Sequence, residues 1–110
     1  MFMTILLDTP RVYAAADDKR APRCFRGKPS CHMQSDIPGG AGTAELLAFA
    51  KRIKLKAEWI QDAGTAREHF DLVGARISAA VLAGAVVDDA RSQAAFAAKA
   101  ALASAARGHP

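Results

Sequence analysis

Short apolar segments with the alternation typical of β-strands recur along the chain, separated by polar, proline-containing or glycine-containing stretches. Five of them are predicted as strands: residues 4–7, 31–33, 57–61, 69–73 and 85–87. In the fourth, the alternation sends Phe70 and Leu72 toward the core and leaves His69 and Asp71 together on the opposite face. Asp8 ends the first segment, at a strand edge of the kind where open α/β sheets hold ligands.

Helical periodicity is clearest between residues 43 and 55. Leu46, Phe49, Ala50 and Ile53 recur at the spacing of one helix face. Thr43 is the predicted N-cap, because a threonine side chain can accept one of the free N–H groups of the first turn. This pattern predicts the first core helix.

Two further helices are predicted downstream. One covers about residues 75–83 and ends at Gly84. An alanine-rich helix follows over about residues 88–107 and is capped by one of the two aspartates at its start. Its only large apolar side chains, Phe96 and Leu102, do not share a face, so we expect it to pack weakly, as an appendage or against a second copy of the chain.

In chain order these elements predict an α/β fold. We expect a short mixed sheet of three to five strands packed by two core helices, plus the alanine-rich C-terminal helix. The 110 residues are expected to form a single domain, with a core over about residues 3–87 and a helical tail over about residues 88–107. Much of the 51% hydrophobic content is alanine, so the core depends on few large side chains, among which we place Trp59 and Phe49.

Composition also bears on the cellular setting. No stretch approaches the ~20 apolar residues of a membrane span, so no membrane association is expected. The apolar start is short and lacks a basic lead-in, which favours a strand over a secretion signal. Cys24 and Cys31 are too few for a disulfide framework, so we expect free thiols and a cytoplasmic location.

Basic side chains are concentrated in an irregular segment, residues 11–30. This segment holds six basic residues against two acidic ones, and its prolines and glycine oppose regular structure. The net charge of +4 and the isoelectric point of about 9.4 permit contact with nucleic acid or a nucleotide. Arg26 and Lys28 of this segment, together with Arg76 of the second helix, are the predicted phosphate-binding residues.

Five sequence motifs, taken together, resemble one family. They are Thr-Ile-Leu-Leu-Asp-Thr-Pro at 4–10, Cys-His-Met-Gln-Ser-Asp at 31–36, Glu-Leu-Leu-Ala-Phe-Ala at 45–50, His-Phe-Asp at 69–71 and Ala-Ala-Val-Leu-Ala-Gly-Ala at 79–85. In order and spacing they are similar to the bacterial and phage family catalogued as "domain of unknown function 4031". The resemblance covers roughly residues 3–87, and the basic segment is longer than the family's usual connection. It implies no established activity. Of the two possible starts of translation, Met1 and Met3, the resemblance favours one close to Met3.

Two histidines and several aspartates lie at predicted strand ends or in loops. The predicted catalytic residues are His32, His69, Asp71 and Asp8, and the predicted ligands of a divalent metal (Zn²⁺, Mn²⁺ or Mg²⁺) are His32, Asp36 and His69. Such an ion can activate water for hydrolysis of a phosphate ester. Alternatively, the two imidazoles act as a metal-free acid–base pair. Structural roles are also open: Asp71 can cap the second helix, and Asp8 can close a turn.

Two functions are therefore compatible with the sequence. The first is a small enzyme that acts on a nucleotide or nucleic-acid phosphate through the His/Asp site. The alternative is a non-enzymatic basic binding module, an adaptor or inhibitor that docks nucleic acid or protein through residues 11–30 and associates with itself through the alanine-rich helix.

Overall fold

A five-stranded mixed sheet forms the centre of the structure, a computed structural model that describes residues 4–107. The strands are β1 (Ile5–Leu7), β2 (Arg11–Val12), β3 (Pro29–Ser35), β4 (Phe70–Val73) and β5 (Val86–Val87). The helices are α1 (Gly39–Arg52), α2 (Ala75–Leu82) and α3 (Asp89–Arg107), with 3₁₀ turns at Arg23–Phe25 and Ala57–Trp59. The predicted α/β class is confirmed. The expected start near Met3 lies outside the described residues.

The longest strand, β3, organises the sheet. One of its edges pairs antiparallel with β1 and, further along, with β2, while its other edge pairs antiparallel with β4. β5 lies parallel to β1 and makes the sheet mixed. Pro10, which cannot donate to a ladder, separates β1 from β2, as the sequence predicted for the end of the first strand. Because β3 spans seven residues, it can serve as the common partner of three other strands.

The two faces of the sheet carry different chemistry. Cys31 and Met33 of β3 and Leu72 of β4 point into the apolar core, which also contains Phe49 of α1 and Ala80 of α2. Side chains alternate along a strand, so the residues between these point to the other face. That second face carries the polar groups of the sheet and is covered in part by α3.

The packing of α3 corrects one prediction. We expected a weakly packed appendage, but Ser92 and Phe96 are 0% and 4% exposed. The side-chain amide of Gln34 on β3 donates to the carbonyl and hydroxyl oxygens of Ser92 at 2.7 and 2.8 Å, and the Lys99 ammonium donates to the Gln34 carbonyl oxygen at 2.9 Å. The inward face of α3 is thus largely polar, which a search for large apolar residues overlooks. Only beyond Lys99 does the helix turn outward, where Leu102 is 56% exposed.

The start of α1 differs from the prediction. The helix begins at Gly39 with Pro38 as N-cap, so Thr43 lies inside it, and the Thr43 hydroxyl donates to the Glu68 carboxylate at 2.7 Å instead of capping. The glycine-rich segment is part of this helix. A Cβ at Gly42 would overlap the carbonyl oxygen of Ile37. Glycine is therefore needed there for close packing and does not mark a flexible turn.

The predicted strand at residues 57–61 is also wrong. A 3₁₀ turn occupies Ala57–Trp59, and only Gln61 makes a bridge, to His69 beside β4. Trp59 is 40% exposed, whereas we placed it in the core. The Arg76 guanidinium carbon lies 4.7 Å from the centroid of its ring, and the Lys56 ammonium nitrogen lies 5.6 Å from it.

The basic segment is more ordered than its composition indicates. β2, the 3₁₀ turn and the first residues of β3 all fall within it. The Arg26 guanidinium donates to the carbonyl oxygens of Ala21 and Lys19 at 3.0 and 3.2 Å, and so holds the segment in a closed loop. Across residues 4–107, no helix is both long enough and apolar enough to span a membrane.

Candidate metal centre

Two imidazoles and one carboxylate converge on the polar face of the sheet. β3 and β4 pair in a register that sets His32 directly opposite Asp71, and His69 precedes Asp71 by two residues on the same face. The ring centroids of His32 and His69 are 4.8 Å apart. Asp71 Oδ1 lies 3.4 Å from His69 Nε2 and 3.9 Å from His32 Nε2. One ligand atom from each residue therefore falls within 4.8 Å of the other two.

Asp8 fixes the orientation of His32. One of its carboxylate oxygens accepts the backbone N–H of His32 at 2.7 Å, and the other lies 2.5 Å from His32 Nδ1. Burial would raise the pKa of Asp8, but the hydrogen bonds from the side chain and backbone of His32 and the nearby positive charge outweigh it and lower the pKa. An ionised carboxylate only accepts, so Nδ1 of His32 carries the proton. The Nε2 atom of the ring then faces Asp71 Oδ1 at 3.9 Å.

A main-chain group orients His69 in the same way. Its Nδ1 lies 2.5 Å from the carbonyl oxygen of Arg67, which can only accept, so Nδ1 is again the donor and Nε2 faces Asp71. Burial would lower the pKa of His69, but the hydrogen bond to Asp71 and that to the Arg67 carbonyl raise it. Reciprocally, the hydrogen bond from His69 lowers the pKa of Asp71 despite partial burial. The acid is thus ionised near neutral pH.

The spacing of the three side chains in this triad (His32, His69 and Asp71) can be compared with that of ligands on one metal ion. Zinc–nitrogen and zinc–oxygen bonds are about 2.0–2.2 Å, so two ligand atoms on one tetrahedral ion are about 3.4 Å apart. The carboxylate-to-imidazole distances of 3.4 and 3.9 Å are near that value, and the widest separation in the group reaches 4.8 Å. Metal-bound histidines usually donate their other ring N–H to a carboxylate or a backbone carbonyl, as His32 and His69 do here. Three protein ligands leave a coordination position open, as in catalytic zinc sites.

The sequence did not reveal two residues that support the triad. Phe96 of α3 stands edge-on to both imidazoles, with centroid distances of 6.5 Å to His32 and 6.3 Å to His69. Arg67 supplies the carbonyl that orients His69, and its guanidinium carbon lies 4.3 Å from the Phe96 ring centroid. No sequence signal marks a backbone carbonyl, since every residue has one. Phe96 could have been found by asking which face of α3 it shares with Ser92.

Two cavities meet at the triad. One, of about 460 Å³, lies between His32 and the loop residues Tyr13 and Phe25. The other, of about 590 Å³, extends over β4 toward the 3₁₀ turn at Ala57–Trp59. Asp71 lines both cavities. The triad is therefore open to a ligand from two sides.

The predicted site residues are only partly brought together. Four converge at the triad: Asp8, His32, His69 and Asp71. Asp36 lies apart near the far end of β3, where its carboxylate accepts the backbone N–H of Thr4 at 3.0 Å and lies 4.0 Å from the Arg91 guanidinium. Asp71, and not Asp36, is the acid that lies beside His32 and His69.

The predicted phosphate-binding residues and the predicted structural roles of Asp71 and Asp8 have mixed outcomes. Lys28 and Arg76 line the larger cavity, whereas the guanidinium of Arg26 is hydrogen-bonded to the loop's own carbonyls. The predicted structural role of Asp71 is not realised, because Gly74 is the N-cap of α2 and no side chain caps it. Asp8 bonds to His32 rather than closing a local turn.

Comparison with known proteins gives one match. The sequence profile of a family described as a protein of unknown function (DUF4031) matches residues 12–100, which confirms the resemblance seen in the motifs. The matched range reaches further into α3 than the motifs did and includes the triad and Phe96, while Asp8 falls just before it. No curated protein and no solved structure shows significant similarity to the chain.

Proposed function

Because the chain belongs to the DUF4031 family, whose description assigns no activity, we propose a function from the site itself. The protein is a small divalent-metal-dependent hydrolase that acts on the phosphate of a nucleotide or nucleic acid. His32, His69 and Asp71 hold the ion, and Asp8 orients His32. The ion would supply an activated water for the hydrolysis.

The observation that carries this proposal is the orientation of the two imidazole rings. Each Nδ1 faces a group that can only accept, the carboxylate of Asp8 or the carbonyl of Arg67. Each Nε2 therefore faces the third candidate ligand, Asp71. Without an ion, His69 Nε2 can donate to the Asp71 carboxylate at 3.4 Å, in agreement with the raised pKa of His69 and the lowered pKa of Asp71. An ion that displaced this proton would meet one ligand atom from each of the three residues, all within 4.8 Å of one another.

The donor set also narrows the choice of metal. Two imidazoles with one carboxylate suit Zn²⁺ and, to a lesser degree, Mn²⁺, whereas Mg²⁺ prefers an octahedron of oxygen ligands. An ion held by these residues would lower the pKa of a bound water to about 7 and so would supply hydroxide at neutral pH. Hydrolysis adds the oxygen of water to phosphorus and breaks the bond to the leaving oxygen, which takes up the proton. Lys28 and Arg76 stand in the adjoining cavity to bind the phosphate.

Thermal unfolding of the chelator-treated protein with and without Zn²⁺, Mn²⁺ or Mg²⁺ tests the metal centre. An ion at about 100 times its Kd adds ~2.7 kcal/mol to the stability of the folded state, which for a domain of this size raises Tm by roughly 10 °C. Asp71→Asn, at a partly exposed position, should abolish the shift, and the exposed loop variant Asp17→Asn should retain it. If none of the three ions raises the Tm of the wild type, the metal centre is refuted.

Hydrolysis of bis(p-nitrophenyl) phosphate then tests the activity. Turnover should depend on the ion that raises Tm and should be lost in Asp71→Asn. Turnover that persists in chelator would instead favour the metal-free alternative, in which His32 and His69 act as an acid–base pair. The raised pKa of His69 and its contact with Asp71 make it the protonated member of that pair.

A binding module is the second candidate function. Most basic side chains of residues 11–30 are exposed, and the outer half of α3 is free to contact another chain. In this case the loop docks the partner, and α3 mediates self-association. Nucleic-acid binding without metal-dependent turnover, together with a dimer in sedimentation analysis that Leu102→Glu dissociates, would favour this function.

A further inference from the structure

The two cavities beside the triad are neighbours, and we call the surface that they form together the trough. Both are lined by Phe25 of the loop and by Asp71 of β4, so they adjoin at one of the three proposed metal ligands. Each volume alone, about 460 and about 590 Å³, falls within the ~300–1,000 Å³ that holds one drug-sized ligand. A mononucleotide would occupy one cavity and leave the other empty. A substrate that fills both must carry a group on each side of the reacting phosphorus.

Exposed aromatic rings stand in both arms of the trough. Tyr13, 62% exposed, lines the smaller cavity, and Trp59, 40% exposed, lines the larger one. Nucleobases stack on exposed aromatic rings whatever their sequence, because every base has a π-face. Arg76 extends the surface at Trp59, because its guanidinium carbon lies 4.7 Å from the ring centroid and a guanidinium plane also stacks on bases.

The charge around the trough fits a phosphate backbone. Lys28 and Arg76 line the larger arm beside Glu58, and Arg20, whose Nε lies 3.3 Å from Asp18 Oδ1, lines the smaller one. The loop that forms the outer wall carries six basic residues against two acidic ones. Basic side chains on both sides of the triad suit a chain of phosphates better than a single terminal phosphate.

We propose that the trough binds single-stranded nucleic acid across the metal centre, with the scissile phosphodiester at Asp71 and one base stacked in each arm, on Tyr13 and on Trp59. The proposal rests on the hydrolase function proposed above and specifies its substrate class. Bases in a duplex are stacked on each other, so the two rings can accept them only from an unpaired strand. The enzyme is accordingly a phosphodiesterase acting within or near the end of a strand.

Binding can be measured apart from the metal. A short fluorescein-labelled oligothymidylate is titrated with chelator-treated protein by fluorescence anisotropy, and the emission of Trp59, the only tryptophan, reports stacking directly. We expect binding at low ionic strength that weakens steeply with NaCl, and quenching of Trp59. Trp59→Ala and Tyr13→Ala should each weaken binding by about 5- to 150-fold, the range for loss of one stacking ring. Leu82→Ala, at an 89% exposed position on α2, is the matched control and should bind as wild type.

Three results would overturn the proposal: thymidine monophosphate competing as well as the oligonucleotide per mole, a duplex of equal length binding as tightly as the single strand, or unchanged binding in both aromatic variants. Because no metal is present, these results are independent of the metal-dependent shift in Tm. Strand binding without a metal shift would refute the hydrolase and leave the trough as a binding site. A metal shift without strand binding would retain the metal centre and refute the trough.

Discussion

Replacing Asp8 by asparagine separates the orienting role of this residue from its shape. Asp8 is 4% exposed, and its oxygens face the backbone N–H of His32 at 2.7 Å and the ring Nδ1 at 2.5 Å. Asparagine keeps the shape and can keep the backbone bond through its carbonyl oxygen. Its amide NH₂ then faces Nδ1 and donates, so the His32 proton moves to Nε2, the atom assigned to the metal. The flipped amide would instead set two donors against each other at the backbone.

The magnitude follows from these contacts. Loss of a group that orients a metal ligand weakens metal binding about 10- to 100-fold, or about 1.4–2.7 kcal/mol. The metal-free fold also loses a hydrogen bond to an ionised acceptor, worth about 1.5–3 kcal/mol. We expect the lower end, because asparagine avoids the cost of burying a charge. For this domain size, that corresponds to a drop in Tm of roughly 5–10 °C.

Zn²⁺ titration against a competing chelator measures the affinity, and nitrogen-15 NMR of the histidine rings identifies the tautomer. Wild-type His32 should carry its proton on Nδ1, and in Asp8→Asn it should carry it on Nε2. Asp17→Asn removes one exposed acid elsewhere and controls for net charge. If Asp8→Asn folds and binds Zn²⁺ within about twofold of the wild type, Asp8 does not orient the ligand and the reasoning is refuted.

Three further predictions concern packing, thiol reactivity and pH. Gly42→Ala should cost about 3 kcal/mol or more in a chemical-denaturation assay, because its Cβ meets a backbone carbonyl, whereas Gly40→Ala has open space and should be neutral or stabilising by ~0.5 kcal/mol. Burial and two nearby carboxylates raise the pKa of Cys31 to about 12, so only the exposed Cys24 should react with a chromogenic disulfide before unfolding, and two fast thiols would contradict this. Because the pKa of His69 is raised in the folded state, its protonation stabilises the metal-free fold fully below the unfolded pKa of about 6.5. This stabilisation is lost as pH rises through the folded pKa. The Tm advantage of the wild type over His69→Gln should therefore shrink above about pH 6.5, and a constant difference would contradict this sign.

Local periodicity predicted the parts of the fold that depend on neighbouring residues. The alternation at residues 69–73 placed Phe70 and Leu72 in the core, and both are buried, with His69 and Asp71 on the other face. The packing of α3 could not be predicted in this way. Its partner, Gln34, is 58 residues from Ser92 in sequence, and the contact is made by hydrogen bonds, which leave no apolar periodicity.

The sequence predicted which types of residue form the candidate site better than it predicted which individual residues belong to it. Histidines at strand ends drew attention to His32 and His69, and the acid that orients one of them, Asp8, was found because it ends a strand. The choice between Asp36 and Asp71 as third ligand depends on the register of β3 against β4, which no local pattern encodes. The orienting carbonyl of Arg67 is equally hidden, because its role depends only on backbone position.

The same strand register specifies both the core and the site. Cys31 and Met33 enter the apolar core because His32 between them points to the polar face, and β4 alternates in step, so that Leu72 is buried where Asp71 meets the imidazoles. A slip of one residue between β3 and β4 would exchange the two sets and bury the charged groups. Formation of the core therefore assembles the three ligands before any ion binds. An ion that binds them stabilises the register in turn, since it binds only the folded arrangement.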